Sequence, residues 1–218
     1  MPENPSSPPR RPVCPACARP RVTCLCDLVV PVDNPVEVLI LQHPAEARQA
    51  KGSAQLLHRC LVHSRLWIGD RFDESELGVA MQAGDRVPVL LYPQVAPGAP
   101  APRVPEDLST GRIRLVVLDA TWRKSLRMLH ENPVLQGLPR LSLAGVPAPA
   151  YGAMRQAPGA GRWSTLEAVA QALDELAGEP GRHAPLRGAM AAFVARWSTQ
   201  VASRSASSSK PGRSRTGG

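Results

Sequence analysis

The chain has 218 residues, 43% of them hydrophobic and eight of them aromatic, which points to one domain with an aliphatic core plus small attachments. No run of about 18 apolar residues occurs, and the Pro- and Arg-rich stretch Met1 to Pro12 lacks the apolar segment of a secretory signal, so neither a membrane span nor a secretory signal is expected and a cytoplasmic location is. A formal charge of +8 favours a polyanionic partner such as nucleic acid through counterion release, although 23 arginines against three lysines is also what a compositional bias toward arginine produces.

Residues 1–13 read as a disordered Pro/Ser/Arg arm. Residues 14–30 read as a knuckle, because Cys14-Pro-Ala-Cys17 and Cys24-Leu-Cys26 give the spacing C-x2-C-x6-C-x-C. Four thiolates fill the tetrahedral shell of zinc, and a segment this poor in apolar residues needs a metal to hold its shape. Disulfides are rare in the cytosol, and a redox C-x-x-C leaves the second pair unexplained. The predicted ligands are therefore Cys14, Cys17, Cys24 and Cys26, in a closed structural site. The flanking Arg10, Arg11, Arg19 and Arg21 would turn this knuckle toward RNA.

Residues 31–201 read as the main α/β domain. Val36 to Leu41 is a short buried strand that ends at Gln42-His43-Pro44. Ser53 is placed as the cap of a helix whose apolar face is Leu56, Leu57, Cys60 and Leu61, which makes Cys60 a core residue. His58 and His63 are read as lying on the surface of this helix, and the five histidines show no paired metal spacing. Arg65–Gly69 and Val87–Tyr92 are further strands, and residues 93–110, with five prolines, form a loop. Ile113 to Asp119 is the clearest buried parallel strand, and Thr121 to His130 follows it as a helix closed by Asn132-Pro133. Leu141–Leu143 is a short strand, residues 144–163 are a Gly/Pro-rich loop, Ser164–Leu176 is a helix stopping at Gly178, and Pro185–Val201 is the last helix. Residues 202–218 read as a disordered basic tail. Strands alternating with helices predict a mainly parallel sheet flanked by helices, with ligands beyond the strand ends after Leu41, Leu118 and Leu143. Neither a Walker A sequence nor a G-x-G-x-x-G after a strand is present, which argues against nucleotide hydrolysis and dinucleotide binding.

Asp119-Ala120-Thr121-Trp122, between the best strand and its helix, resembles the D-x-T-W signature of the DTW-domain family. The cysteine cluster, Tyr151-Gly-Ala-Met-Arg155 (similar to a Tyr-x-x-Arg element, here with three residues between) and Ser164-Thr165-Leu166-Glu167-Ala168 (similar to an S-T-x-E-A helix start) follow the family in the same order. At Lys51-Gly52-Ser53 the chain departs from the family's Asn-Thr-Gly-Arg type of sequence. The resemblance implies a SPOUT-like α/β fold with a knotted cofactor site, and a tRNA-uridine aminocarboxypropyltransferase. Such an enzyme moves the 3-amino-3-carboxypropyl group of S-adenosylmethionine to N3 of a uridine in tRNA and releases methylthioadenosine. Methyl transfer by a related fold, or RNA binding through the knuckle without catalysis, are the alternatives.

On that reading Asp119, Thr121 and Trp122 are the catalytic candidates. Asp119 would serve as the base that takes the N3 proton or would bind the donor's amino group, and the competing structural role is a helix cap. Trp122 would stack on a base or on adenine, or else pack in the core. Tyr151, Arg155, Ser164, Thr165 and Glu167 are the candidate donor-binding residues, although Ser164-x-x-Glu167 is also a helix capping box.

Overall fold

The computed structural model describes residues 12–93, 109–143 and 163–208, with side chains to residue 199. Five strands form one sheet: β1 (Glu37–Gln42), β2 (Ser64–Ile68), β3 (Val87–Leu91), β4 (Ile113–Asp119) and β5 (Arg140–Leu141). Every pairing is parallel, and the order across the sheet is β2-β1-β4-β3-β5. This is the α/β, parallel-sheet architecture that the alternating pattern predicts, and the strand bounds agree within a residue or two.

The central strands are apolar on both faces because helices cover both faces. Successive residues of β1 and β4 enter opposite cores. Val38, Ile40, Leu115 and Val117 pack with α2 (Ala54–Cys60), α6 (Thr165–Ala177) and α7 (Ala184–Ser208). Leu39, Leu41, Val116 and Leu118 pack on the other side with α3 (Glu74–Gln82), α4 (Trp122–Glu131) and α5 (Pro133–Gln136). A single turn, α1 (Pro44–Ala47), follows β1.

At the amino end of the sheet Arg114, 1% exposed, donates to Glu37 at 2.7 Å and to the carbonyl of Ala83 at 2.8 Å. Arg65 and Arg86 also reach Glu37, each at 3.2 Å. Burial works to raise the Glu37 carboxyl, but the Arg114 hydrogen bond and the charges of Arg114, Arg65 and Arg86 outweigh it and hold the group below its ordinary range. Three of the chain's arginines are thereby committed to one carboxylate.

The helix signals resolve unevenly. Ser164 accepts from the backbone N–H of Glu167 while the Glu167 carboxylate accepts from Ser164, so α6 starts with a complete capping box, and it ends at Gly178 with φ +65°. Ser53 and Thr121 occupy cap positions without a side-chain capping bond. The last helix runs past Val201 to Ser208. His58 is half-buried and bonded to Ser64, and His63 lies beyond the end of α2 rather than on it. Among the described residues, no helix is long and apolar enough to cross a membrane.

Candidate active site and metal centre

The carboxyl ends of β1 and β4 lie side by side, with Gln42 paired in register to Asp119. After β1 the chain turns one way, to β2; after β4 it continues the other way, to β5. Such a switch point leaves a crevice beyond the strand ends. Asp119, 7% exposed, ends β4 at this point. Its Oδ2 accepts a 2.7 Å hydrogen bond from the Gln42 amide, and its Oδ1 accepts one from the Thr165 hydroxyl. A carboxylate at the end of the sheet thereby ties the first turn of α6 to the two central strands.

Beside this tie lies a cavity of about 460 Å³. Leu91, Tyr92 and Pro93 come to it from the end of β3, and Val117, Leu118, Ala120, Trp122 and Ser125 from β4 and α4. Leu141, Ser142 and Leu143 come from β5 and the residues after it, and Trp163, Thr165 and Ala168 from the start of α6. Its size and its mainly apolar lining, with a few hydroxyls, are those of a small-molecule site. No charged side chain lines it among the described residues.

Trp122 is half-buried and stacks on Tyr92, with ring centroids 5.3 Å apart and planes 16° apart. The Arg140 guanidinium lies 5.5 Å from the Tyr92 ring centre, so a buried cation backs the aromatic pair. Trp122 faces the cavity because it is the first residue of α4, where the chain leaves β4. Thr121, one residue earlier, is exposed.

Of the sequence candidates, Trp122 and Thr165 line the cavity, Asp119 stands directly behind Thr165, and Ser164 and Glu167 bond each other in the capping box. Tyr151 and Arg155 lie outside the described residues. Sequence reasoning did not single out Gln42, Tyr92, Ser125, Ser142 or Trp163. Applying the strand-end rule to β3 as well finds Tyr92, and the rule already points to the end of β5 beside Ser142; no local signal finds Ser125. His43 is a capping residue: its Nδ1 accepts from the Ala45 N–H at 3.0 Å.

The four knuckle cysteines form a separate cluster. A β-bridge between Val13 and Pro20 and a positive φ of 55° at Ala18 fold Cys14 and Cys17 into one turn. The Cys14 and Cys26 sulfurs are 3.8 Å apart, those of Cys17 and Cys24 are 3.7 Å apart, and all four ligand atoms lie within 4.8 Å of one another. A zinc ion with ligands at about 2.3 Å requires sulfurs about 3.8 Å apart along each tetrahedral edge. The donor set therefore fits: these cysteines can hold a zinc ion. Without one the thiols compete for protons. Cys14 is lowered to about 6, chiefly by the backbone N–H groups of Cys17 and Ala16, while hydrogen bonding with Cys24 and Cys14 pushes Cys26 up to about 12. Cys60 stands apart, buried in the core, and burial raises its thiol.

The knuckle is clamped to the body by arginines. Arg19 donates to the carbonyls of Gln49 and Ala50, Arg59 to that of Ala16, and Arg196 to that of Cys24 and to Asp27. Gln55 adds a 3.0 Å bond to the carbonyl of Cys17. Arg19 also lies over the Phe193 ring. It thus serves as an internal clamp between the knuckle and the body.

The family described as DTW domain matches residues 11–198. The chain is 32% identical over 181 residues to the tRNA-uridine aminocarboxypropyltransferase 2 of Drosophila melanogaster, covering 79% of this chain and 70% of that protein. It is 30% identical over 175 residues to the protein of that name from Mus musculus, covering 77% of this chain and 57% of that one. It is 29% identical over 144 residues to the tRNA-uridine aminocarboxypropyltransferase A of Arabidopsis thaliana, covering 58% and 53%. The chain thus spans little more than half of the mouse and Arabidopsis relatives. No solved structure matches it. With the D-x-T-W turn at the mouth of the crevice and the family pattern covering most of its length, the chain belongs to the DTW domain family.

Proposed function

We propose that this protein is a cytoplasmic tRNA-uridine aminocarboxypropyltransferase, that S-adenosylmethionine is its donor and that the product is a uridine carrying the 3-amino-3-carboxypropyl group on N3. The observation that supports it most is the cavity beside the D-x-T-W turn, mainly apolar among the described residues, with the Tyr92–Trp122 stack on one side and Thr165 on another. A flat adenine ring suits the aromatic pair, and aromatic faces attract a sulfonium cation.

The sulfonium activates each carbon bonded to sulfur, and the carbon held in line with the nucleophile is the one that moves. In aminocarboxypropyl transfer the N3–carbon bond forms as the sulfur–carbon bond breaks. The bonding pair returns to sulfur, methylthioadenosine departs, and the N3 proton leaves to a base. On this reading Trp122 stacks on the donor or the uracil ring, and the Thr121 hydroxyl, exposed and not used in capping, hydrogen-bonds the substrate. Asp119 belongs to the same turn, its two oxygens already accepting from Gln42 and Thr165. Ser164 and Glu167 keep the α6 N-terminus rigid, Thr165 lines the donor site, and Tyr151 and Arg155 are the candidate partners of the donor's carboxylate. Cys14, Cys17, Cys24 and Cys26 hold a structural zinc ion. The chain path is knotted in the SPOUT manner on this reading.

The test uses unmodified tRNA and two preparations of S-adenosylmethionine, one labelled in the methyl group and one in the carboxyl group. Carboxyl label in the RNA, with release of methylthioadenosine, is expected. Methyl label in the RNA, or neither label, overturns the proposal.

A further inference from the structure

We propose that Gln42 is a positioning residue of this site: its side-chain amide, bonded to Asp119, fixes the carboxylate that holds Thr165 and with it the α6 wall of the cavity. Gln42 ends a strand in which Val38, Leu39, Ile40 and Leu41 are all fully buried, and it is itself only 3% exposed. Burying a primary amide costs free energy unless it is bonded. Its Nε2 is bonded, at 2.7 Å, to one oxygen of the neighbouring carboxylate. That leaves the other oxygen of Asp119 to accept from Thr165, a cavity-lining residue. The path from the β1 end to the cavity wall therefore runs through two side-chain hydrogen bonds and no mobile segment.

The charge logic explains why an amide stands here. An amide donates at any pH and keeps Asp119 a double acceptor. A carboxylate of the same shape, as in Gln42→Glu, bonds Asp119 only while one proton is shared between the two groups; once both ionise, they repel. The other titratable groups on the surrounding elements are His43, which caps α1, the Glu46–Lys124 ion pair between α1 and α4 at 2.7 Å, and Glu167 in the α6 capping box.

This proposal rests on the reading of the cavity as the donor's site for its functional consequence, but the latch itself is tested without that reading. Two quantities are measured on the full chain, wild type against Gln42→Glu and Gln42→Leu. One is the hydrogen-exchange protection of the Glu167 and Ala168 amides, corrected for intrinsic exchange. The other is the affinity for S-adenosylmethionine. Compared with the wild type at the same pH, Gln42→Glu is expected to lie within about threefold near pH 5 and to lose about tenfold or more in both quantities near pH 9, because the paired carboxylates ionise and repel. Gln42→Leu is expected to show the loss at both pH values. A Gln42→Glu protein whose protection follows the wild type at both pH values overturns the proposal. Should Gln42→Leu not fold, Thr165→Val, which removes the other arm, takes its place, with Thr165→Ser expected to restore protection. If the wild type binds no S-adenosylmethionine, the proposed function fails while the protection data still decide the latch.

Discussion

A carboxylate at the end of a buried strand is stable only with donors on its oxygens, and Asp119 has one on each, from Gln42 and from Thr165. Thr165→Val leaves one oxygen without its donor and should cost about 1–3 kcal/mol, the range for losing a hydrogen bond to a buried charged group. Urea denaturation should show this as a lower midpoint at an unchanged slope, with Thr165→Ser recovering most of it; an unchanged midpoint removes the bond from the account. Trp122 and Tyr92 make the second residue-level claim. Their stacked contact at 5.3 Å should give a coupling of about 0.5–1.5 kcal/mol in a double-mutant cycle of Trp122→Leu and Tyr92→Leu. Strict additivity of the two single changes would show that the rings are neighbours without interacting.

At the scale of elements, the junction of α6 and α7 is a test of electrostatics. Asp174, 3% exposed near the end of α6, accepts from the backbone N–H and Nδ1 of His183, each at 2.8 Å, and from Arg187 at 2.8 Å and Gly181 N–H at 3.1 Å. Burial opposes ionisation, but these donors prevail and lower the carboxyl to about 2. The folded value lies below the unfolded one, near 3.9, so this stabilisation is complete above about pH 5 and is lost as pH falls through the folded value. It should amount to about 2 kcal/mol, and Asp174→Asn should flatten the acid limb of the stability profile between about pH 4 and pH 2. An acid limb identical to the wild type would contradict the assignment. The same junction shows what the sequence makes legible. The Ser164-x-x-Glu167 box and Gly178 bound α6 in the sequence, because capping is local chemistry. The run from Leu115 to Leu118 reads as β4 because a strand covered on both faces has to be apolar throughout. α3 escapes the same reading: Gly78 and the exposed Val79 interrupt the stripe of Leu77, Ala80 and Met81. The D-x-T-W turn was legible as a site and Thr165 as one of its residues, but the other side chains that meet there were not named. Gln42, Tyr92 and Ser142 come from three other strands or their ends, and they meet Asp119 or Trp122 only because β4 inserts between β1 and β3.

At the scale of the whole molecule, the knuckle and the α/β body are one folded unit, joined by Arg19, Arg59, Gln55 and Arg196. Removing zinc should therefore destabilise more than the knuckle. Metal analysis should find about one zinc per chain, Cys14→Ser or Cys24→Ser should release it, and chelation should lower the melting temperature of the entire protein. Metal content unchanged in both variants would contradict the ligand assignment. The central claim concerns the cavity, and the most direct measurement blocks it. Ala168 lines the cavity from α6 and makes no polar contact there, so Ala168→Phe fills the space while leaving Asp119, Thr165 and the cysteines in place. Calorimetric titration with S-adenosylmethionine should give a dissociation constant for the wild type between about 1 μM and 1 mM, the usual range for an enzyme's substrate, and a loss of about a hundredfold in Ala168→Phe. Equal affinity in the two proteins, with the variant folded and holding its metal, would place the donor elsewhere.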